Sequence, residues 1–390
     1  MGGTKGKRKF VATACGVLGL LVALGGFSAA SASAKKTKTA PGVYGWGVNS
    51  NGNLGDGSTT PSDVPVMATG LTGATQVAAG SNYGIALIPG GTVKDWGSNA
   101  YGELGNGTKT QSLVPEAVPG LGGVVAVAAG ATTAYALLSN GTVEAWGNGG
   151  SGELGDNTEE SSEEPVIVSG LTGVTAIAAG GESALALLKN GTVMSWGYNS
   201  HGQLGDGSTV DSLVPVPVKG LINVQAIAEG AFFGLAVVKG GGVKSWGAGT
   251  SGELGDGAES DSDVPVSVST LTGVKTVAAG GYHSLALLSN KTVKSWGYNS
   301  QGQLGNGSTM NSDVPVTVTG LHGVKAIAAG SAHSMALLGS KTVDAWGENE
   351  YGELGNGTHE NSDVPTPVSK LTGIKVIGSG SNAFVGFAAT

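Results

Sequence analysis

A tryptophan falls every 50 residues from Trp46 to Trp346, with no residue gained or lost between copies. Gly47, Gly52, Leu54, Gly55, Pro65, Leu71 and Gly80 recur in the same register through every copy. A fixed period of this length means one supersecondary unit stacked on its neighbours, each copy burying a face that it cannot bury alone. The unit can be read within one copy. Val274–Ala279, His283–Leu288, Thr292–Trp296 and Val314–Val318 are short apolar or alternating runs bounded by turn residues, and each reads as a strand. Pro315 suits the last of them to an outer edge, where a missing N–H costs nothing. Asn140-Gly141, Asn190-Gly191 and Asn290-Lys291 stand between the second and third strands, where a two-residue hairpin with both residues at positive φ is expected. Four antiparallel strands in about 50 residues make a propeller blade, so the fold class is all-β: a seven-bladed propeller. A composition with 72 Gly and only 12% charged residues fits short strands and tight turns.

The position of each strand follows from its side chains. Val277-Ala278-Ala279-Gly280 and Ile327-Ala328-Ala329-Gly330 are narrow, and seven narrow strands can converge around one axis. The tryptophans are expected in the core, filling the wedge that opens between blades away from the axis. The chain start supplies only a third strand (Val43–Trp46) and a fourth (Val64–Ala68); the chain end supplies only a first (Ile374–Gly378) and a second (Ala383–Ala388). Joined, they complete the seventh blade and remove the open edges. Gly57, Gly107, Gly207, Gly257, Gly307 and Gly357 share a column with Asn157, as a left-handed turn position requires. Asp56, Asn106, Asp156 and Asp206 precede it and are expected to hydrogen-bond their own turns.

Residues 1–34 read as a secretory leader. Lys5, Lys7, Arg8 and Lys9 are followed by an apolar Val11–Leu24, and Ala32-Ser33-Ala34 offers a cleavage site before Lys35. The apolar run is shorter than the roughly 20 residues of a spanning helix. Cleavage removes Cys15, the one cysteine, and leaves a body without disulfides. The expected organisation is leader 1–34, linker 35–42 and propeller 43–390, in a secreted or cell-surface monomer. All 28 acidic residues lie after residue 40, against fewer lysines and no arginine there. A body so acidic is expected to bind neither nucleic acid nor anionic membrane.

The run Trp296–Ser308, Trp-Gly-x-Asn-x-x-Gly-x-Leu-Gly-Asn-Gly-Ser, followed by Val-x-x-Ile-Ala-Ala-Gly-x-x-His-Ser-x-Ala-Leu at Val324–Leu337, resembles the regulator of chromosome condensation repeat. The resemblance covers residues 43–389 and implies a seven-bladed propeller closed by a blade of mixed termini. The family's founding members exchange nucleotide on a small GTPase with a wedge that protrudes from the repeat. Copies of constant length leave no room for one, so exchange is not expected here. The chain is also similar, more distantly, to the secreted propeller-type β-lactamase inhibitor, which covers an enzyme with its loop face. That protein lacks the Leu-Gly-Asn-Gly segment.

Chemistry-bearing residues give little. His201, His283, His322, His333 and His359 form no zinc signature, and no cofactor or metal is expected. His283-Ser284 and His333-Ser334 invite a hydrolase reading, but the same column holds Tyr83, Thr133, Ser183, Phe233 and Ala383, which favours a structural role. Glu103, Glu153, Glu253 and Glu353, with Gln203, Gln303 and Asn53, form a ring that could hold a cation; since amides replace carboxylates freely, each is expected to cap its own loop. Binding is expected on the face where first-to-second and third-to-fourth loops emerge, because there the copies differ. The aromatics of those loops, Tyr83, Tyr101, Tyr198, Phe232, Phe233, Tyr282, Tyr298 and Tyr351, are the expected anchors of a protein partner. The chain therefore reads as a secreted protein-binding module and not an enzyme. Inhibition of an extracellular enzyme, or a glycan-binding or enzymatic pocket at the channel mouth, are the alternatives.

Overall fold

In a computed structural model that describes residues 39–390, the copy read above forms strands Val274–Ala279, His283–Leu288, Val293–Gly297 and Ser312–Thr317, hydrogen-bonded in that order. The two inner strands fall where the apolar runs put them. The outer two are displaced by a residue or two, because a bulge between Ser295 and Gly297 interrupts their pairing. Six such sheets follow one another as blades 1 to 6, beginning at Gln76, Val124, Val174, Val224, Val274 and Val324. The closing blade pairs Val376–Gly378, Val385–Ala389, Val43–Gly47 and Ser62–Met67. The described residues thus form a seven-bladed propeller closed by strands from both ends of the chain. The expected leader, its cleavage site, Cys15 and residues 35–38 lie outside the described residues. Residues 39–42, read as linker, are instead tied to the closing blade: the Thr39 hydroxyl meets that of Thr372, and the Gly42 amide donates to the Thr390 hydroxyl.

The expected hairpin chemistry needs one correction. After Asn140, Asn190 and Asn290 only the next residue has positive φ: Gly141, Gly191 and Lys291. The Asn side chain accepts from the amide two residues on, for example from Thr142 and Thr292. Two successive left-handed residues occur where both are glycine, at Gly90-Gly91 and Gly240-Gly241.

Tryptophan does more than fill space. All seven rings are fully buried, and each indole N–H donates to a carbonyl of the preceding blade: Trp46 to Glu353, Trp96 to Asn53, Trp196 to Glu153, Trp346 to Gln303. A second inter-blade contact runs from the left-handed turn column to the outer strand of the following blade. Gly57 donates to Leu113, Asn157 to Leu213, and Gly357 to Asp63, the last crossing the seam between blade 6 and the closing blade. Each blade is therefore bound to the next by packing and by two directed hydrogen bonds. Small residues of the first strands, Ala78, Ala128, Ala178, Ala228, Ala278, Ala328 and Gly378, line the axial channel, as expected.

The closing blade departs from the period. Gly47 pairs with Val385, whereas Gly347 pairs with His333 and Gly297 with His283. The second strand thus starts at Val385 and not Ala383, and two extra residues sit in its first-to-second loop. That loop turns across the axis. Gly380 abuts the Ala79 carbonyl of blade 1, and Ser381 lies against Gly281 of blade 5.

Candidate functional site

Strand geometry decides which loop aromatics are available. Side chains alternate along a strand, so neighbours point to opposite sides. The second strands begin at Tyr83, Phe233, His283 and His333, and these side chains point between blades. Tyr83 is 1% exposed and Phe233 0%, so neither can anchor a partner. The Tyr83 hydroxyl donates to the Thr133 carbonyl of blade 2, and Phe233 belongs to the core cluster around Trp296. A Cβ at Gly80, Gly230, Gly280 or Gly330 would overlap these rings, and at Gly130, Gly180 and Gly380 it would press on a carbonyl of the neighbouring blade, so each first strand is followed by glycine. The residue just before each second strand faces outward instead: Phe232 is half-buried and Tyr282 is 44% exposed.

Phe232 is the centre of a cluster. Its ring lies 6.3 Å from Tyr198, 6.3 Å from Tyr282 and 5.4 Å from His201, edge-on or tilted in each case. Loops of blades 3, 4 and 5 are thus brought to one spot. Phe232, Tyr282 and Phe384 also line a cavity of about 260 Å³ at the axial mouth, with Ser81, Ser331 and Asn382. The floor is a chain of backbone bonds from blade to blade: Ser81 to Ala131, Ala131 to Gly181, Gly181 to Ala231, Ala231 to Gly281, Gly281 to Ser331 and Ser331 to Ala383. The rings therefore stand on rigid loops. Tyr101 and Tyr351 are nearly half exposed but belong to blades 1 and 6, apart from the cluster; Tyr298 is half-buried.

His201, Asp261 and Phe384 were not among the expected site residues. His201 Nδ1 lies 2.8 Å from Asp261 Oδ2, and Asp261 Oδ1 also accepts from the Gly249 amide, so the carboxylate fixes the imidazole beside Phe232. The same contact recurs two blades on, where the Asn361 amide donates to Gln301. A spacing of one repeat plus ten residues was the available signal for it. Phe384 comes to the mouth through the two-residue insertion, which a register counted from the tryptophans hides.

The polar columns behave as loop chemistry. Glu103, Glu153, Glu253 and Glu353 each accept from the amide two residues earlier, as do Gln203, Gln303 and Asn53. Burial nonetheless raises the pKa of all four carboxylates, that of Glu353 to about 7. The His-Ser dipeptides are not exposed to substrate. His283 Nε2 lies 2.8 Å from Ser334 Oγ, which itself donates to the Gln303 carbonyl, so the imidazole must be the donor. Burial lowers the pKa of His283 to about 3 and of His333 to about 4, and both rings are neutral core members.

A family model for the RCC1-like domain matches residues 13–322 and 170–389. Among solved structures, human WBSCR16 superposes with a TM-score of 0.80 at 24% identity, over 90% of this chain and 98% of that one. Yeast RCC1 (Prp20), bound to Kap60, gives 0.78 at 24% over 89% and 88%. Prp20p from Saccharomyces cerevisiae, studied with its binding to Gsp1p and histones, gives 0.77 at 25% over 89% and 91%. No curated protein matches the chain.

Proposed function

Since this chain belongs to the family of RCC1-like domains, we propose that it is a protein-binding module whose partner docks on the loop face around the axial mouth. The observation that carries this is the Phe232 cluster: rings from three blades outside the core, joined by an oriented histidine. Aromatics held on rigid loops offer a large desolvation gain at small entropic cost. Prp20p, a relative of the same fold, is itself studied for binding Gsp1p and histones. Exchange on a small GTPase is not part of the reading, because every blade of the described residues has four strands and no inserted hairpin between them. Action outside the cell is supported by the basic, apolar and small-residue pattern of residues 1–34.

The test starts with capture of partners by the purified protein, followed by titration of each with Phe232→Ala/Tyr282→Ala. The double variant should bind roughly 30- to 1000-fold more weakly, as hot-spot truncations do, with little change in melting. Lys189→Ala, in a second-to-third hairpin on the opposite face, should bind normally. Unchanged affinity in the double variant, or a loss in Lys189→Ala, moves the interface off the loop face.

A further inference from the structure

Charge is unevenly placed on the ring. Among the described residues, Lys109 is the one lysine in a first-to-second or third-to-fourth loop. The others lie in second-to-third hairpins, in blade-to-blade connections, or in the strand residues beside them, on the opposite face, except that the Lys219 amine reaches back to Gly207 of a third-to-fourth loop. They concentrate on blades 4 to 6, where Lys239, Lys275, Lys291, Lys325, Lys341 and Lys370 are exposed. In the hairpins, connections and adjoining strand residues of these blades, Asp344, half-buried, is the one carboxylate, while Asp256 approaches from a third-to-fourth loop, its carbonyl accepting from the Ser269 hydroxyl. Ion pairs among the described residues are Lys109–Glu163, His201–Asp261 and His359–Asp63, so none of these lysines is neutralised.

Backbone strain singles out three of them. Lys291, Lys341 and Lys370 have φ of 67°, 64° and 58°. The hairpin position of Lys291 and Lys341 is Gly91, Gly141, Gly191 and Gly241 elsewhere, and that of Lys370 is glycine in five other copies. Left-handed backbone disfavours any residue with a Cβ and spares glycine. These side chains are exposed, so core packing does not explain them. Strain retained without a packing gain points to use of the side chain.

A third observation selects the partner. Ile222 is 66% exposed in the connection into blade 4, where four other copies have threonine, and it borders a shallow pocket with Lys239 and Lys244. An apolar tip between lysines suits a bilayer interface, where the chain enters the headgroups while the amines meet lipid phosphate. A nucleic-acid backbone would make no use of the isoleucine. Blades 4 to 6 also offer it no arginine fork, and their Tyr and Phe residues lie in the core or on the loop side. The acidity of the whole body does not oppose this. A strand of six residues spans about 20 Å, more than twice the roughly 8 Å Debye length at physiological salt, so acidic loops are screened from a plane touching the hairpins. We propose that the hairpin face of blades 4 to 6 docks on an anionic lipid surface, leaving the loop face turned outward.

Co-sedimentation of the full chain with vesicles of phosphatidylcholine and phosphatidylglycerol, against phosphatidylcholine alone, tests it. A contribution of the N-terminal segment is common to all variants and cancels between them. Binding should require phosphatidylglycerol and weaken with salt. Lys291→Gly/Lys341→Gly should lower partitioning by about fivefold per lysine, roughly 25-fold together, while melting is unchanged or higher. Lys291→Arg/Lys341→Arg should retain binding. Ile222→Ser should weaken binding without altering its salt dependence. Phe232→Ala/Tyr282→Ala should leave vesicle binding unchanged, which separates this face from the loop face. Equal binding to both vesicle types, or no loss in the glycine pair, overturns the proposal. Binding of soluble polyphosphate with no partitioning to vesicles assigns the face to a linear polyanion instead.

Discussion

Glu353 accepts from the Tyr351 amide and still has its pKa raised to about 7, because burial outweighs the backbone hydrogen bonds and nearby Glu348 and Glu350 add to the rise. An unfolded glutamate titrates near 4.5, so between pH 4.5 and 7 the unfolded chain releases a proton that the folded protein keeps. Stability contributed at this site is complete below pH 4.5 and is lost as pH rises to 7, by at most about 3 kcal/mol. Glu353→Gln keeps the cap, as Gln203 and Gln303 do in blades 3 and 5. Denaturant melts of wild type and variant should therefore differ most at neutral pH, the variant being the more stable, and converge toward pH 4.5. Subtracting the two curves removes His283 and His333, whose lowered pKa values act in the opposite sense below pH 6.5. A constant difference from pH 4.5 to 7 would show that this carboxylate ionises normally. At this scale the caps were legible in the sequence, because amide and carboxylate alternate in one column. The aromatic pair Phe232-Phe233 was not. One residue of strand phase separates a surface ring from a core ring, and the runs around it are too short and too apolar to reveal which is which.

At the scale of the element, the inner strands were legible from apolar runs and the outer ones only approximately, since a bulge shifts the third-to-fourth pairing. The closing blade was placed correctly but misregistered. Its period of 50 continues through Gly380, and the two extra residues after it leave no mark on a pattern counted from tryptophans. The pairing of Val376–Gly378 with Phe387–Ala389 does not involve the inserted loop. Deleting Asn382 and Ala383 should therefore restore the connection length of blades 1 to 6 with melting lowered by no more than about 3 °C, roughly 1 kcal/mol in a chain of this size. The same deletion leaves Phe384 just before the second strand, where Phe232 and Tyr282 stand in blades 4 and 5, but shortens the loop that crosses the axis, which faster hydrogen exchange of the channel-lining residues would report. A collapse in stability would mean that the loop crossing the axis holds the first strands together.

On the scale of the whole molecule, the ring is held by contacts that every blade makes to the next, so its weakest place is set by covalent continuity. Six blades are continuous in sequence; the seventh joins strands from both ends of the chain. Its second strand carries Phe387, which packs edge-on against Trp96 of blade 1 at 5.5 Å and shares one core cluster with Leu54, Val43 and Val385. Deleting residues 371–390 takes away that ring and both inner strands, and leaves Val43–Gly47 with an unpaired edge. Loss of one buried phenylalanine costs about 3–5 kcal/mol, and a whole domain is stable by only about 5–15 kcal/mol. The truncated chain should be aggregated or rapidly proteolysed. A circular permutant separates closure from mere content. The Thr390 amide donates to the Gly42 carbonyl, so the two ends of the ring touch, and joining residue 390 to residue 42 while opening the chain at Gly220 keeps every strand and every pairing of the described residues. That permutant should fold and melt near the parent, but its blades would all be continuous and its seam would lie between blades 3 and 4. If the mixed blade acts as a latch, unfolding of the permutant in denaturant should be faster than that of the parent at equal stability. A soluble, sharply melting truncation would remove the closing strands from any role in stability. Equal unfolding rates for parent and permutant would show that blade-to-blade contacts alone hold the ring.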